Sequence, residues 1–293
     1  GLKFDGAVAT IRDQVAVVGQ SHLEKTDDVA TFNGKADQVR MTLDRQISFL
    51  KPPRREGAKD IVIKSVRFDG PASGTNTTND PFGVQLSYDE LSVRDMEIWP
   101  ETGDLSGGPG WIRTIRYGES FRQSADSKKS ELMHVEIHFA DSIRGNFEQK
   151  DITFSGDVHT IAGPIEHWRQ RLDPNVPDGL GEDGVEIFSQ KLRGVEFTLN
   201  QQESYLELIA DGNVKVHNLQ FSAFADRLTY NDSKDLITLK GIGAGRLARV
   251  ESVFRGVPHQ GNGRELQIWP KRKHVEWEEI QRLEFGGRPK NSR

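Results

Sequence analysis

The chain has 293 residues and a mass of 32.9 kDa, room for one large domain or two of ordinary size. Its longest unbroken aliphatic run, Val15-Ala16-Val17-Val18, falls far short of the roughly 20 apolar residues a spanning helix needs, which excludes a helical membrane protein. A formal charge of −5 gives no basic field for a nucleic-acid backbone, and the absence of cysteine excludes disulfides, thiolate metal sites and thiol nucleophiles.

The chain opens Gly1-Leu2-Lys3-Phe4, with neither an initiator Met nor the apolar core of a signal peptide, and reads as a processed product or an excised fragment. Apolar and polar residues then alternate over 7–18, 60–68, 132–139, 151–161, 205–216 and 235–239, in runs rich in Val, Ile, Thr and Phe. That period and composition predict half-buried strands. Gly and Pro cluster at 70–74, 103–110 and 173–184, which predicts loops. Only 164–172 and 244–254 carry a helical rhythm of about 3.6 residues. The expectation is an all-β, mostly antiparallel chain. The basic clusters of the tail, Lys271-Arg272-Lys273-His274 and Arg288-Pro289-Lys290 with Arg293, read as a solvated end.

The chain also repeats itself. Residues 139–156 align without a gap on 224–241, with identities at Phe139/Phe224, Ala140/Ala225, Asp141/Asp226, Asn146/Asn231, Ile152/Ile237, Thr153/Thr238 and Gly156/Gly241. Each copy reads strand, polar turn, strand, which is a hairpin. Weaker echoes surround it: Phe4-Asp5-Gly6-Ala7-Val8 with Phe154-Ser155-Gly156-Asp157-Val158, the Gly-x-Val of Gly212-Asn213-Val214, Ala36-Asp37-Gln38-Val39 with Ala225-Asp226-Arg227-Leu228, and Ile98-Trp99-Pro100 with Ile268-Trp269-Pro270. The order recurs twice. It predicts two stacked β-modules, 1–125 (with an insertion at 51–83) and 126–293, with a seam near residue 125.

At these residues the sequence resembles the OstA-like proteins of lipopolysaccharide transport, whose hairpin signature is Ala-Asp-x-Leu-x-Tyr-Asn/Asp, a polar turn, then Asp-x-Ile-x-Leu-x-Gly. Residues 224–241 fit it well; residues 139–156 fit with Phe147 displaced and Gly145 intruding. Gly6-Ala7-Val8 and Gly212-Asn213-Val214 resemble that family's Gly-Asn-Val strand starts. The resemblance implies an antiparallel β-jellyroll, taco-shaped and open along one groove, in the periplasm of a diderm bacterium. It also implies shielding of lipopolysaccharide acyl chains, and stacking of the protein on itself or on related OstA-like proteins through strand edges. Two insertions (51–83 and 170–184) and the two Ile-Trp-Pro elements depart from the small soluble member of the family.

Strand parity names the apolar contacts of such a groove: Val8, Val39, Met41, Ile143, Ile152, Phe154, Val158, Val214, Val216, Leu228, Tyr230, Ile237 and Leu239. Each methylene moved out of water is worth about 0.8 kcal/mol, so a slot for several acyl chains needs no polar anchor, cofactor or metal.

Other patterns carry less chemistry. His134, Glu136 and His138 share one face of a predicted strand, but tight metal sites want three or four convergent ligands at defined spacing, and the reading is of surface histidines. Residues 173–184 have the flavour of a calcium loop, yet Pro177, Asp178 and Gly184 stand where a ligand, the Gly and the bidentate Glu belong. Gly241-Ile242-Gly243-Ala244-Gly245 has the wrong spacing for a dinucleotide turn and reads as the end of a hairpin. No Gly-x-Ser-x-Gly elbow or assembled Ser, His and Asp set is present; Glu90, Asp95, Glu97 and Asp104 remain only as carboxylates for glycoside chemistry. Trp99, Trp111, Trp168, Trp269 and Trp277 read as lids at strand ends. The sequon at Asn76 matters only in a eukaryotic secretory pathway. The sequence therefore points to a non-enzymatic, exported lipid carrier. The alternatives are a carbohydrate-binding or carbohydrate-active β-solenoid or sandwich, and a purely structural assembly module.

Overall fold

The computed structural model describes residues 2–23, 26–46, 61–118, 131–200, 203–254, 257–269 and 274–285. The seam near residue 125, residues 51–60 of the first insertion, Pro270 and the basic clusters 271–273 and 288–293 lie outside them, as does the side chain of Trp277. The described residues are all-β, without an α-helix, in one antiparallel sheet of 17 strands. In chain order the strands are β1 (Leu2–Asp5), β2 (Val8–Leu23), β3 (Asp28–Leu43), β4 (Ile63–Asn79), β5 (Gln85–Trp99), β6 (Asp104–Gly107), β7 (Gly110–Gly118), β8 (Glu131–Phe139) and β9 (Ser142–Asn146). They continue as β10 (Asp151–Ile165), β11 (Val185–Asn200), β12 (Glu203–His217), β13 (Phe221–Asn231), β14 (Leu236–Lys240), β15 (Ala248–Phe254), β16 (Val257–Trp269) and β17 (His274–Phe285). The chain forms two compact units, one of residues 1–112 with 141–152, the other of 113–140 with 153–293.

In the first unit β1 to β6 form a meander, and β9 pairs with β6. The register sets Phe4, Ala9, Met41, Val66, Ile98, Leu105 and Gly145 side by side across seven strands. Ile11, Val39, Phe68 and Met96 make the next apolar rung, and Val15, Ala36, Ala72 and Val93 a third. Between the first two runs a polar rung of Thr10, Arg40, Arg67, Glu97, Ser106 and Arg144. One face is thus apolar and the other charged, the alternation that period-two sequence imposes on an antiparallel sheet. On the charged face Gln38, Arg40 and Arg67 all donate to Asp69, at 2.6, 2.9 and 2.7 Å. Burial pushes the Asp69 carboxyl up; the hydrogen bonds of Arg67 and Gln38 and the nearby guanidinium charges outweigh it and leave it below its ordinary value.

In the second unit β8 pairs with β10, β11 to β13 form a meander, β13 continues into both β14 and β15, and β16 joins those two to β17. Leu192, Ala210, Leu228, Leu239 and Leu266 lie side by side on β11, β12, β13, β14 and β16, each at most 5% exposed. Gly194, Leu208, Tyr230, Ile237 and Ile268 form the neighbouring rung.

The repeated hairpin is real at the level of hydrogen bonds. Asn146 Oδ1 accepts from Gln149 N at 2.8 Å, and its counterpart Asn231 Oδ1 accepts from Lys234 N at 3.0 Å. Lys150 and Asp235, again counterparts, both take a positive φ (52° and 48°) just before the returning strand. The Asn is kept in both copies because its carboxamide folds the turn.

Several expectations change. Residues 70–74 are not a loop but the middle of β4, so the described part of the first insertion is largely strand. Within 103–110, β6 interrupts the predicted loop, whereas 173–184 is loop throughout. Neither helical rhythm makes a helix. Residues 164–165 end β10 and are followed by turns, and 248–254 are β15, paired with β13 and β16; strand pairing overrides a weak local period. The insertion at 170–184 covers a strand: a Cβ on Gly163 of β10 would lie 2.7 Å from Gly184 Cα and 3.0 Å from Leu172 Cδ1. Leu172 and Leu180 are buried there.

Candidate functional site

The apolar face depends on a device that strand parity alone does not show. On β3 and β5 the inward positions step by three, from Val39 to Ala36 and from Met96 to Val93, while on β2 and β4 they step by four, from Ile11 to Val15 and from Phe68 to Ala72. The extra residues are bulges: Asp13 and Gln14 on β2, with φ of 74° and 55°, and Gly70 on β4, with φ of 79°. A bulge bends its strand and raises its twist. The bulges recur on alternate strands at one level, and Val15, Ala36, Val39 and Ala72 pack as one cluster with Ile11, Met41, Val66 and Phe68 against it.

The second unit repeats the device. β12 carries one residue more than both β11 and β13 at Gly212-Asn213, whose φ values are 82° and 50°. Val214 follows, 1% exposed. On β10, Gly156 and Asp157 take φ of 83° and 40°, and Val158 follows, also 1% exposed. The Gly-x-Val echo in the sequence is therefore a bulge followed by a buried Val, set inside a strand rather than at its start. Gly6 differs: it closes the β1–β2 turn, and Val8 does begin a strand.

Of the residues singled out for a groove, Val39, Ile143, Phe154, Val158, Val214, Val216, Leu228 and Leu239 are buried, and Val8, Met41, Ile152, Tyr230 and Ile237 are half-buried. In the first unit Val39 and Met41 lie on the apolar face. Ile143 joins them there: it stands opposite Gly107, and a Cβ on Gly107 would meet Val93 at 2.6 Å and Ile143 at 3.1 Å. Ile152 lies beside Gly145. Val8 stands across from Thr42, in the register between Ala9 and the turn, on the side opposite Ala9 and Met41. Val8 follows directly on the turn at Gly6, which interrupts the parity of β1. In the second unit Phe154 packs on Phe139 with ring centroids 5.3 Å apart, Val216 lies between Ile187 and Ala223, and Leu228 and Leu239 are direct cross-strand partners, as are Tyr230 and Ile237. The positions that parity missed are the partners across strands, such as Val66, Phe68, Ala210 and Leu266. Register, which couples residues far apart in sequence, is what identifies them.

The Ile-Trp-Pro elements end strands. Ile98 lies in the long rung of the first unit, between Val66 and Leu105, and Ile268 pairs with Ile237 in the second. Trp168 meets Tyr117 edge to face at 5.6 Å.

A second cluster is polar. His134, Glu136 and His138 do share a face of β8, but His134 is fully buried rather than on the surface, because Gly163 stands opposite it and the 170–184 loop lies over that glycine. His134 Nε2 approaches Glu136 Oε2 at 3.5 Å, and His138 Nε2 contacts Glu136 Oε1 at 2.7 Å. The approach of His134 contributes most to holding the Glu136 carboxyl at about 2; half-burial opposes it and His138 adds to it. On β10, opposite His138, His159 contacts Glu186 at 2.7 Å and stacks on Phe188 with centroids 4.4 Å and planes 2° apart. Among the described residues no group of three or more His, Asp or Glu side chains is placed to hold a metal ion. In the Pro/Gly loop Asp173 Oδ1 accepts from the backbone and side chain of Asn175. Asn76 lies within β4 with its amide on Asp89 at 3.2 Å.

The chemistry this arrangement offers is apolar contact along an inward face. Comparison with protein-family models, with curated proteins and with solved structures finds no match to this chain.

Proposed function

We propose that the chain is a non-enzymatic lipid-handling protein of the periplasm, built as a jellyroll of two OstA-like modules, that holds the acyl chains of a lipopolysaccharide-type lipid against its inward face. The observation that carries this reading is the division of labour along that face. Part of that face is buried, Val15, Ala36, Val39 and Ala72 in the first unit and Leu192, Ala210, Leu228, Leu239 and Leu266 in the second, whereas Ile11, Met41, Val66 and Phe68 in the first unit and Leu208, Tyr230, Ile237 and Ile268 in the second are apolar and only half-buried. Apolar surface left on the inside of a curved sheet is what a hydrocarbon chain would cover, at roughly 25 cal/mol for each Å².

The reading extends to assembly. β1 pairs with only Val8–Ile11 of the long strand β2. Beyond it β2 presents 15–21, a stretch without a charged side chain, exposed throughout except for Val15. Natural sheets usually guard an edge with charge or Pro, and an unguarded one is suited to strand addition by another copy or a related protein.

Binding of a fluorescent long-chain acyl probe tests the carrier reading. Met41→Gln, which keeps side-chain length, and Ile237→Gln, one atom longer, make half-buried positions of that face polar, and each is expected to weaken the probe about tenfold with the fold retained. Unchanged affinity in both variants would reject the inward face as the lipid site.

A further inference from the structure

The hairpin tip between β4 and β5 carries a side chain that the fold does not use. Asp80 clamps this turn: its backbone N donates to Val84 O at 2.8 Å, its carbonyl accepts from Gly83 N at 3.0 Å, and its Oδ1 accepts from Phe82 N at 2.9 Å and Val84 N at 2.8 Å. Pro81 fixes φ at the first central position, and Gly83, at φ 85°, supplies the left-handed step. Phe82 sits at the second central position, where turn chemistry is satisfied by Asp, Asn or Ser, and is 91% exposed; Val84 beside it is 55% exposed. A large aromatic side chain held outward on a backbone tied at four points is already ordered for binding, and such residues form the hot spots of interfaces.

Charge selects the occupant. Residues 15–23, 26–34 and 74–91, the outer reach of β2 to β5 around this tip, contain Asp27, Asp28, Asp80, Asp89 and Glu90 and no Lys or Arg, while β7, which pairs with β5, carries Arg113 and Arg116 and leaves the acids in excess; Glu24 and Lys25 between them cancel. Those five acids equal the formal charge of the whole chain, −5. An anionic bilayer or a nucleic acid is repelled there. A neutral bilayer gains only one ring and one valine, far less than a myristoyl chain, which by itself binds membranes marginally. We infer that this acidic hairpin end is a docking surface for a cationic protein segment, with Phe82 as the anchor that enters an apolar pocket or pairs with an apolar side chain on the partner. This surface is separate from the inward face and does not depend on lipid binding.

The test uses the full chain and a fluorescein-labelled peptide of alternating lysine and leucine, with a lysine–serine peptide as the control lacking apolar groups, read by anisotropy. The lysine–leucine peptide is expected to bind at least tenfold more tightly than the control, and Phe82→Ser, which removes only exposed surface, to abolish that difference. Asp27→Asn with Asp28→Asn is expected to weaken both peptides, and added salt to do the same. Equal binding of the two peptides, or a preference undiminished by Phe82→Ser, would overturn the anchor. Phe82-dependent flotation with phosphatidylcholine or phosphatidylglycerol vesicles would put a bilayer in the partner's place and overturn the proposal as well.

Discussion

Gly212→Val is the sharpest probe of the bulges. Gly212 takes φ 82°, and a Cβ there would lie 2.8 Å from Gln190 Cβ and 3.0 Å from its Cγ on the neighbouring strand. A left-handed backbone costs an L-residue about 1–2 kcal/mol, and more when it is β-branched. Crowding of this kind adds about 1–3 kcal/mol, because Gln190 must move and its amide gives up the 2.9 Å hydrogen bond to Asp157. The total is about 2–5 kcal/mol. Gly194, on β11, is the control: a Cβ there meets only Leu208 Cδ2, at 3.4 Å, and its φ is not left-handed. Gly194→Ala is expected to be neutral or to stabilise by up to about 1 kcal/mol, since glycine in a strand loses the most entropy on folding. Urea unfolding of the two variants beside the parent gives both values. Equal shifts in midpoint would refute the claim that a specific left-handed step, rather than strand packing in general, holds β12 in its bent course.

Other expectations follow from the same geometry. Leu239→Ala, at a 1% exposed position between Leu228 and Leu266, should cost about 2–5 kcal/mol, whereas Val18→Ala, at a 74% exposed position, should change stability by less than about 0.5 kcal/mol, both by thermal or urea unfolding. Asn146→Ala and Asn231→Ala should both destabilise, by on the order of 1 kcal/mol for the shared turn bond and by more at Asn146, whose amide also donates to Thr102 O and Asp104 Oδ1, each at 2.8 Å; no effect at Asn231 would show that the sequence repeat is not a structural one. Glu136 has a carboxyl depressed from about 4.5 to about 2, so its contribution is complete above pH 4.5 and is lost as pH falls towards 2. Relative to the parent, Glu136→Gln should therefore be less stable at neutral pH, by on the order of 2 kcal/mol, with the gap closing as the pH falls from 4.5 to 2 in acid titrations followed by circular dichroism.

Much of this was legible in the sequence for a physical reason. Period-two alternation reports a half-buried strand directly, so the antiparallel all-β class and the paired hairpins at 139–156 and 224–241 came from local patterns alone. What stayed hidden depends on partners far along the chain. Residues 70–74 look like a loop because Gly70 and Pro71 are turn formers; flanked by β3 and β5 they form a bulge instead, and only pairing distinguishes the two. His134 reads as a surface residue because its own strand gives no hint that the 170–184 loop covers Gly163 opposite it. Val8 lies on the side opposite Ala9 and Met41 because it begins β2 straight after the turn at Gly6, and counting along the chain carries strand parity through that turn. The signal that could have exposed the bend was present in the recurrent Gly-Asp-Val and Gly-Asn-Val. Two adjacent residues that tolerate positive φ, followed by a β-branched apolar one, mark a bulge before a buried position.

The claim that the inward face holds lipid is tested most directly by native mass spectrometry of the protein purified from its own source, followed by extraction of whatever it carries. The account predicts an adduct with the mass of an acylated glycolipid, retained by Val18→Ala and lost from Met41→Gln combined with Ile237→Gln. A bare protein mass, with the strand content of the folded chain intact, would contradict it.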